Sequence, residues 1–305
     1  MWSLITLNRG IVIAGPTGVG KTDISIKLAK ELNADIISAD SAQVYKFLNI
    51  GTAKIKEEEM EGIKHYMIDV VEPNNKFSVG DYEKKVSEIL KEKEKENKNI
   101  ILVGGTGLYI DAITDGLSIL PSADFELRKN LNKFSNQELF LKLKNLDEEA
   151  AKTIHENNRV RLERALEVCI LTGEKFSVLS KKNKKNNNYF FKKFALERNR
   201  ENLYEKINNR VDQMIEEGLV DEVKKLYQKY GEDFKKLNII GYKEIIDFLD
   251  EKNSLERAIY LIKLNTRHYS KRQFTWFKND KNYTWFDLDN MCQNKIISSM
   301  LKCVE

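Results

Sequence analysis

One eight-residue stretch constrains the fold of this chain more than any other feature. Residues 15–22 read Gly-Pro-Thr-Gly-Val-Gly-Lys-Thr, between an apolar run at 11–14 and an amphipathic run at 23–30. A glycine-rich turn between a strand and a helix directs backbone N–H groups at anionic oxygens, while the lysine adds charge and the threonine can ligate Mg²⁺. The stretch therefore predicts a phosphate loop with Thr22 as a metal ligand. Kinases, nucleotide switches and diphosphate-using transferases all contain such a loop, so the motif leaves the ligand open.

Composition and charge narrow the class of protein. The chain has 305 residues, enough for one large domain or two smaller ones, and 41% of them are hydrophobic. A net charge of +4 does not by itself indicate a nucleic-acid partner, because the basic residues would have to be gathered on one face. The three cysteines and three histidines are scattered, so no structural zinc site is expected. No apolar window is long enough for a membrane span or a signal peptide, and we predict a cytoplasmic protein.

The pattern of apolar residues predicts an α/β core with an insertion. Apolar runs at 10–15, 34–40, 65–71 and 98–110 are predicted strands, and amphipathic segments such as 78–99 lie between them. Strands separated by helices predict a parallel sheet. Helical patterns dominate after residue 116, the Lys/Asn-rich stretch 180–193 is a predicted loop, and 190–197 reads as one more strand. We predict a core of residues 1–115 and 194–305, which includes the C-terminal helices, and an inserted helical lobe of residues 116–193.

The predicted strands end in residues that suit a binding crevice. In an open parallel sheet, ligands bind beyond the carboxyl ends of the strands. Those ends carry the phosphate loop, residues 40–43, Asp69 and residues 104–106, which we expect to meet in one crevice. A carboxylate at Asp40 can hold Mg²⁺ or accept a proton from a nucleophile, although the sequence also permits a helix N-cap there.

The sequence alone does not assign one role to the basic residues further along the chain. Arg210 lies on a predicted helix, and periodicity does not tell whether it faces solvent or the crevice. Lys263, Arg267 and Lys271 are four residues apart, so they share one helix face, and aromatic residues follow them. A basic stripe with aromatics suits an RNA backbone and equally suits a solvated helix with core aromatics. A second basic cluster lies at residues 159–164.

Taken in order, several segments resemble the tRNA dimethylallyltransferase (tRNA isopentenyltransferase) family in its bacterial form. The segments are "GPTGVGKT", "ISADSAQVYKFLNIGTAK", "HYMIDVVEPNNKFSVGDY", "LVGGTGLYI", "RVRLERALEVCILTG", "LYEKINNRVDQMIEEGLVDEV", "IIGYKEI" and "TRHYSKRQFTWF". They cover most of the chain from residue 10 to residue 278. The phosphate loop is shared by many enzymes, whereas "SADS-QVY---IGTAK" and "KRQ-TWF" are much more specific to the family.

The resemblance implies a fold and an activity. The fold would be a P-loop NTPase-like parallel sheet with an inserted helical domain that clasps the anticodon stem-loop of tRNA. The activity would be transfer of a dimethylallyl group from dimethylallyl diphosphate to N6 of adenosine-37, next to the anticodon, in tRNAs that read codons beginning with U. The alternatives are a P-loop small-molecule kinase, an adenylate isopentenyltransferase acting on free AMP, ADP or ATP, and a non-catalytic RNA-binding switch. A monomer with Mg²⁺ as cofactor and no membrane partner is expected.

The resemblance also implies roles for individual residues. Asp40 matches the general base, and Thr106 and Arg210 match residues that contact the diphosphate or stabilise its departure. The diphosphate-binding residues are Gly15, Pro16, Thr17, Gly18, Val19, Gly20, Lys21 and Thr22. The tRNA-binding residues are Asp40, Ser41, Ala42, Gln43, Thr106, Val160, Arg161, Leu162, Glu163, Arg164, Lys263 and Arg267. An apolar wall for the prenyl group is expected from Val44, Tyr45, Phe47, Leu108, Tyr109 and Ile110.

Four positions depart from the residues usual in the family. Ala42 stands where Met is common, Lys64 where a second His is common, and Ile55 and Arg159 where Pro is common. The change at Ala42 bears on how closely the target base is held. None of the four lies in the phosphate loop.

Overall fold

A computed structural model describes residues 9–182 and 189–304, which form two compact units. The sheet unit comprises residues 9–114 and 189–304, and the helical unit comprises residues 115–182. The Lys/Asn-rich stretch predicted as a loop falls partly on residues 183–188, which lie outside the described residues. Its last residues, from Phe190 onward, belong to a strand of the sheet unit, so the helical insertion ends earlier than residue 193.

The sheet unit is built on a parallel sheet, as the sequence predicts. Its described strands are β1 (Arg9–Ala14), β2 (Ala34–Ala39), β3 (His65–Tyr66), β4 (Asn99–Gly104), β5 (Phe190–Glu197) and β6 (Thr284–Asp287). Their order across the sheet is β3-β2-β4-β1-β5-β6, and all pairings are parallel. The strand predicted over 65–71 has only two residues in the sheet, and β6 was not predicted. The α/β fold class is confirmed.

Helices cover the sheet and make up the helical unit. In the described residues they are α1 (Lys21–Leu32), α2 (Val79–Lys95), α3 (Gly107–Thr114), α4 (Phe125–Leu131), α5 (Asn136–Leu146), α6 (Glu148–Thr153), α7 (Arg159–Thr172), α8 (Phe176–Leu179), α9 (Arg200–Glu216), α10 (Leu219–Lys235), α11 (Tyr242–Leu249), α12 (Leu255–Lys278) and α13 (Gln293–Val304). None of these helices is long and apolar enough to cross a membrane.

Two hydrophobic cores form on opposite faces of the sheet because neighbouring residues of a strand point to opposite sides. Val12 and Ala14 of β1 pack into a core with α2, α3, α10, α11 and α12. Ile11 and Ile13 pack into a second core with α1 and α13. All four β1 side chains are buried, which explains why β1 reads as a continuous apolar run. The strand that precedes the phosphate loop is therefore held on both faces.

The helical unit has its own core and a buried ionic cluster. Leu139 and Leu143 of α5 pack with Leu162 and Leu166 of α7, and all four are fully buried. The fully buried Glu167 of α7 accepts hydrogen bonds from the guanidinium groups of Arg128 and Arg164 and from the N–H of Asp124. Burial alone would raise the pKa of Glu167, but these hydrogen bonds outweigh it and hold the pKa below its usual value. This carboxylate therefore stays charged inside the unit.

The register of the sheet aligns the strand ends that matter for binding. Gly104 of β4 pairs with Ala14 of β1 on one side and with Ala39 of β2 on the other. Ala14 also pairs with Ala195 of β5. Because these residues are level with one another, the segments that follow β1, β2 and β4 leave the sheet side by side. The crevice expected from the sequence therefore forms beyond the ends of β1, β2 and β4, where residues 15, 40 and 105 follow the strands.

Candidate active site

The phosphate loop has the backbone geometry that an anion cradle requires. Gly20 lies immediately before α1 with φ of 107°, in the left-handed region that glycine adopts without strain. The carbonyl of Val19 accepts a hydrogen bond of 3.0 Å from Nε of Arg198. Since C=O and N–H point in opposite directions in a trans peptide, the N–H of Gly20 faces away from Arg198. It joins the free N–H groups of the first turn of α1, which favour an anion.

Lys21 folds back over this loop. Its Nζ donates to the carbonyl oxygens of Gly15 and Pro16, each at 2.9 Å. Burial lowers the pKa of Lys21 to about 8, the negative charge of Asp40 opposes this shift, and the positive charge of Arg210 adds to it. The ammonium group is thus held inside the cradle at a pKa close to neutral pH.

Asp40 presents one anchored oxygen and one free oxygen. Its Oδ1 accepts the N–H groups of Ala42 at 2.8 Å and Gln43 at 3.3 Å. Its Oδ2 makes no hydrogen bond to any residue that the structure describes. The alternative of a helix N-cap is not realised, because Asp40 caps a turn and no helix begins there. The carboxylate is fixed in orientation and keeps one oxygen available to accept a proton or bind a metal ion.

Thr106 and Gln43 hold the segment that follows β2 in place. Oγ1 of Thr106 accepts the N–H of Ser41 at 3.0 Å, and the N–H of Thr106 donates to the carbonyl of Ala39 at 3.1 Å. Nε2 of Gln43 donates to the carbonyl of Thr52 at 3.3 Å. Asp40 to Gln43 and Thr106 are therefore neighbours, as the sequence predicts from the two strand ends.

A carboxylate from α10 orders the continuation of the same segment. Glu222 accepts the N–H groups of Asn49, Ile50 and Gly51 at 2.9–3.3 Å. The hydroxyl of Tyr242 donates to the same carboxylate at 2.6 Å. Loop 40–54 therefore depends on two helices that lie far away in sequence, and nothing in the sequence analysis indicated this.

Asp69 does not join the crevice. Its carboxylate pairs with Nζ of Lys54 at 2.6 Å, and the Lys54 side chain is only 5% exposed. Asp69 is not among the described residues that line the cavity next to Asp40. This corrects the expectation that all the strand-end residues meet. Asp69 follows the short edge strand β3 and instead forms an ion pair with Lys54, the last residue of loop 40–54.

Arg210 faces the crevice. It lies on α9, lines the cavity beside Asp40, and its Nη2 donates to the carbonyl of Ala53 at 3.4 Å. Burial lowers the pKa of Arg210, while the negative charges of Asp40 and Glu217 oppose the shift. A guanidinium remains charged in proteins, so two cations, Lys21 and Arg210, act on the carboxylate of Asp40.

A cavity of about 630 Å³ opens next to these groups. Thr17 and Gly18 of the phosphate loop, Asp40 and Arg210 line one part of it. Aromatic side chains line the same cavity, namely Tyr45, Phe77, Tyr109 and Tyr269, together with the apolar Ile207, Val211, Met214 and Ile262. Such a volume suits a small organic ligand with an anionic end.

The apolar wall expected from the sequence is only partly present. Tyr45 and Tyr109 line the cavity. Val44 and Ile110 are fully buried in the core of the sheet unit, while Phe47 and Leu108 are 43% and 47% exposed. Helix and turn geometry place successive residues on different sides, so a continuous apolar run could not all face one cavity. The aliphatic part of the lining comes from α9, from residues 237–240 and from Ile262 of α12, none of which was predicted to form it.

Two of the basic residues predicted to bind tRNA are engaged within the sheet unit. Nζ of Lys263 pairs with the carboxylate of Asp212 at 2.6 Å. Nη1 of Arg267 donates to Oδ1 of Asn208 at 2.7 Å. Both partners lie on α9, so this face of α12 packs against a neighbouring helix. The face that lines the cavity carries Tyr269 and Arg272, three residues apart in the "TRHYSKRQ" segment.

The predicted tRNA-binding segment of α7 is divided between surface and core. Val160 is 78% exposed and Arg161 is exposed. Leu162 is fully buried in the core of the helical unit, so its side chain is not available to a ligand. Glu163 pairs with Arg159 at 2.6 Å, and Arg164 bonds to the buried Glu167. A helix presents successive residues on different faces, which is why a continuous segment could not be wholly exposed.

These features define a protein class. A parallel sheet with a phosphate loop after a central strand, and a charged crevice at the carboxyl ends, is a P-loop NTPase-like fold. The family model described as IPP transferase matches residues 43–280. The chain belongs to this family of transferases.

Individual relatives agree with the family assignment. A tRNA dimethylallyltransferase of Fusobacterium nucleatum is 63% identical over 294 residues, covering 96% of each chain. The solved full-length tRNA isopentenylpyrophosphate transferase from Bacillus halodurans is 41% identical with a TM-score of 0.73, covering 98% of this chain and 96% of that chain. A eukaryotic dimethylallyltransferase solved while acting on tRNA is 27% identical with a TM-score of 0.84, covering 98% of this chain and 80% of that one. The predicted family and enzyme class are confirmed.

The pKa of Lys21 generates a prediction for anion binding. An anion in the cradle favours the charged lysine, so binding above about pH 8 must take up a proton. At about pH 9, only about a tenth of the free wild-type protein has a protonated Lys21. The affinity of the wild type for pyrophosphate should therefore fall about tenfold relative to that of Lys21→Arg, because the arginine stays charged over this pH range. Isothermal titration of both proteins between about pH 7 and pH 9 measures this. Parallel profiles for the two would contradict it, since ionisation of pyrophosphate affects both equally.

Proposed function

We propose that the chain transfers a dimethylallyl group from dimethylallyl diphosphate to N6 of adenosine-37 in tRNAs that read codons beginning with U. The products would be N6-dimethylallyladenosine and diphosphate. The observation that carries the proposal is the free Oδ2 of Asp40 beside the phosphate loop, in a cavity with aromatic and apolar walls. The relatives named for this activity support it.

The phosphate loop and two cations would hold the diphosphate. The N–H groups at the start of α1 and the ammonium of Lys21 serve one side, and the guanidinium of Arg210 approaches from α9. Charge on the diphosphate grows as the C–O bond breaks, so these fixed donors stabilise the transition state more than the bound substrate. Thr106 contributes by holding the start of loop 40–54, which carries Asp40.

Asp40 would act as the general base. The amino group of adenine is a poor nucleophile because its lone pair is delocalised into the ring. As N6 forms the new C–N bond, the C–O bond to the diphosphate breaks, and its electron pair goes to the departing oxygen. The N6 proton passes to Oδ2 of Asp40, while Oδ1 stays bonded to the N–H groups of Ala42 and Gln43.

The residues around the loop fit a bound Mg²⁺. Thr22 is exposed at the first turn of α1, and its hydroxyl makes no hydrogen bond to a described residue. Mg²⁺ usually keeps several water ligands and binds through substrate phosphates, so it needs few ligands from the protein. When bound, Mg²⁺ would neutralise charge on the diphosphate, with the Thr22 hydroxyl as its protein ligand.

The acceptor would be the anticodon stem-loop of tRNA. The target base has to leave its stack to reach Asp40, which is least costly in a single-stranded loop. In the helical unit, Val160 and Arg161 are exposed on α7 and available for RNA contacts. In the sheet unit, Arg272 is exposed and lines the cavity.

One experiment separates the proposed activity from its rivals. The protein is incubated with Mg²⁺, dimethylallyl diphosphate and unmodified tRNA, without ATP, and the tRNA nucleosides are analysed by mass spectrometry. N6-dimethylallyladenosine should form, and Lys21→Ala and Thr22→Ala should slow transfer more than they weaken diphosphate binding. Strict dependence on ATP with release of ADP would favour a kinase. Prenylation of free AMP in preference to tRNA would favour an adenylate isopentenyltransferase.

The base assignment predicts a rate defect without a binding defect. Asp40→Asn keeps an oxygen that can accept the N–H groups of Ala42 and Gln43 but removes the proton acceptor. Single-turnover transfer should fall by about 10²–10⁴-fold, while affinity for dimethylallyl diphosphate stays within about threefold. Asp221→Asn, the same change at an exposed residue of α10, is the matched control. A normal rate for Asp40→Asn with bound substrates would refute the assignment.

Two arginines of α7 should respond differently to charge reversal. Arg161→Glu alters an exposed side chain, so tRNA affinity should fall and its salt dependence should flatten by about one unit of slope, with the melting temperature unchanged. Arg164→Glu places a carboxylate beside the buried Glu167, so the helical unit should lose about 3–5 kcal/mol of stability. Filter binding at several salt concentrations and thermal unfolding separate the two effects. An unchanged salt slope for Arg161→Glu would rule out a phosphate contact.

A further inference from the structure

One side chain bridges the phosphate loop and the neighbouring strand end. Gln273 lies on α12 and is only 6% exposed. Its Oε1 accepts the N–H of Thr17 at 2.8 Å, and its Nε2 donates to the carbonyl of Gly105 at 2.9 Å. Thr17 follows β1 and Gly105 follows β4, and these strands are adjacent with level ends. The amide of Gln273 therefore spans the gap between two loops at the carboxyl edge of the sheet.

The bridge is tightly enclosed. A Cβ atom added at Gly105 would overlap Nε2 of Gln273, so the backbone and the amide are already in closest contact. The Tyr269 side chain, one turn earlier on α12, also lies near the Gln273 side chain. The amide is held by partners on several sides and has little room to swing away. The gap between Thr17 and Gly105 is filled by this amide.

The hydrogen bond between Thr17 and Gln273 bears on how many phosphates the loop can bind. The N–H groups that follow Gly18, together with Lys21, can serve two phosphates at the start of α1. The N–H of Thr17 is the next donor along the loop toward its first glycine, where a longer polyphosphate would extend. In this structure that donor is already satisfied by Gln273. A third phosphate would find no free backbone donor at Thr17.

We propose that Gln273 is a specificity-determining residue that closes the phosphate loop to a third phosphate and so selects diphosphate esters over triphosphates. The inference rests on the proposed function for the statement that the natural ligand is a diphosphate ester. It assigns Gln273 no part in bond formation, because its amide bonds to Thr17 and Gly105 and not to the free oxygen of Asp40.

The test compares two inorganic anions on the full chain. Pyrophosphate and tripolyphosphate are titrated calorimetrically into wild type, Gln273→Ala and Gln273→Asn at one fixed Mg²⁺ concentration. Gln273→Ala should shift the ratio of the two affinities about tenfold toward tripolyphosphate, because it frees the Thr17 N–H and vacates the gap. Gln273→Asn, whose shorter amide can reach only one loop, should shift the ratio about threefold. Thr275→Ala, at an exposed position of the same helix, is the control and should leave the ratio unchanged.

Each outcome has one interpretation. A shift in the ratio with the control unmoved supports the proposal. Equal weakening of both anions by Gln273→Ala and Gln273→Asn would overturn it and leave Gln273 as a structural bridge between the loops. Absence of pyrophosphate binding by wild type would instead overturn the diphosphate site of the proposed function, and the inference with it. Since the readout is binding, failure of the transfer reaction alone would refute the proposed function without changing this result.

Discussion

The orientation of a few peptide groups between Gly15 and Lys21 is the constraint on which the rest of the site depends. A carbonyl held on one side of a trans peptide forces the following N–H to the other side. Arg198 holds the carbonyl of Val19 and Lys21 holds the carbonyl of Pro16, so the N–H groups of Gly20 and Thr17 are turned to the other side. Arg198 is itself fixed by Asp289, which follows β6. The cradle is therefore set by the C-terminal part of the sheet unit as much as by its own glycines.

The carboxylate of Asp40 is likewise positioned by residues that lie far from it in the sequence. The register of β1, β4 and β2 brings Asp40 level with the phosphate loop, but register alone does not orient a side chain. The turn after Asp40 does this by donating two N–H groups to one carboxylate oxygen. That turn is held by Thr106, and its continuation by Glu222 of α10. A proton acceptor with one free oxygen thus results from contacts on three separate elements.

The sequence predicts what is local and misses what is distant. A glycine-rich turn between a strand and a helix has one physical reading, and strand ends in a parallel sheet must meet, so the phosphate loop and its proximity to Asp40 were predictable. Gln273, Glu222 and Arg198 act on backbone groups roughly 170–260 residues away, and no periodicity reports such partners. Helical spacing showed that Lys263 and Arg267 share a face, but it could not show that the face packs on α9. The short β3 likewise reflects its edge position, where only β2 pairs with it.

The charges in the crevice explain why loop and carboxylate have to be considered together. Lys21 and Arg210 both lose solvent, which lowers the pKa of each, and Asp40 is the carboxylate that opposes both shifts. A diphosphate bound at the phosphate loop would place further negative charge beside these two desolvated cations. The ligand therefore supplies part of the electrostatic balance of its own site. Because Lys21 has a pKa of about 8, protonation of Lys21 and binding of an anion in the cradle are linked.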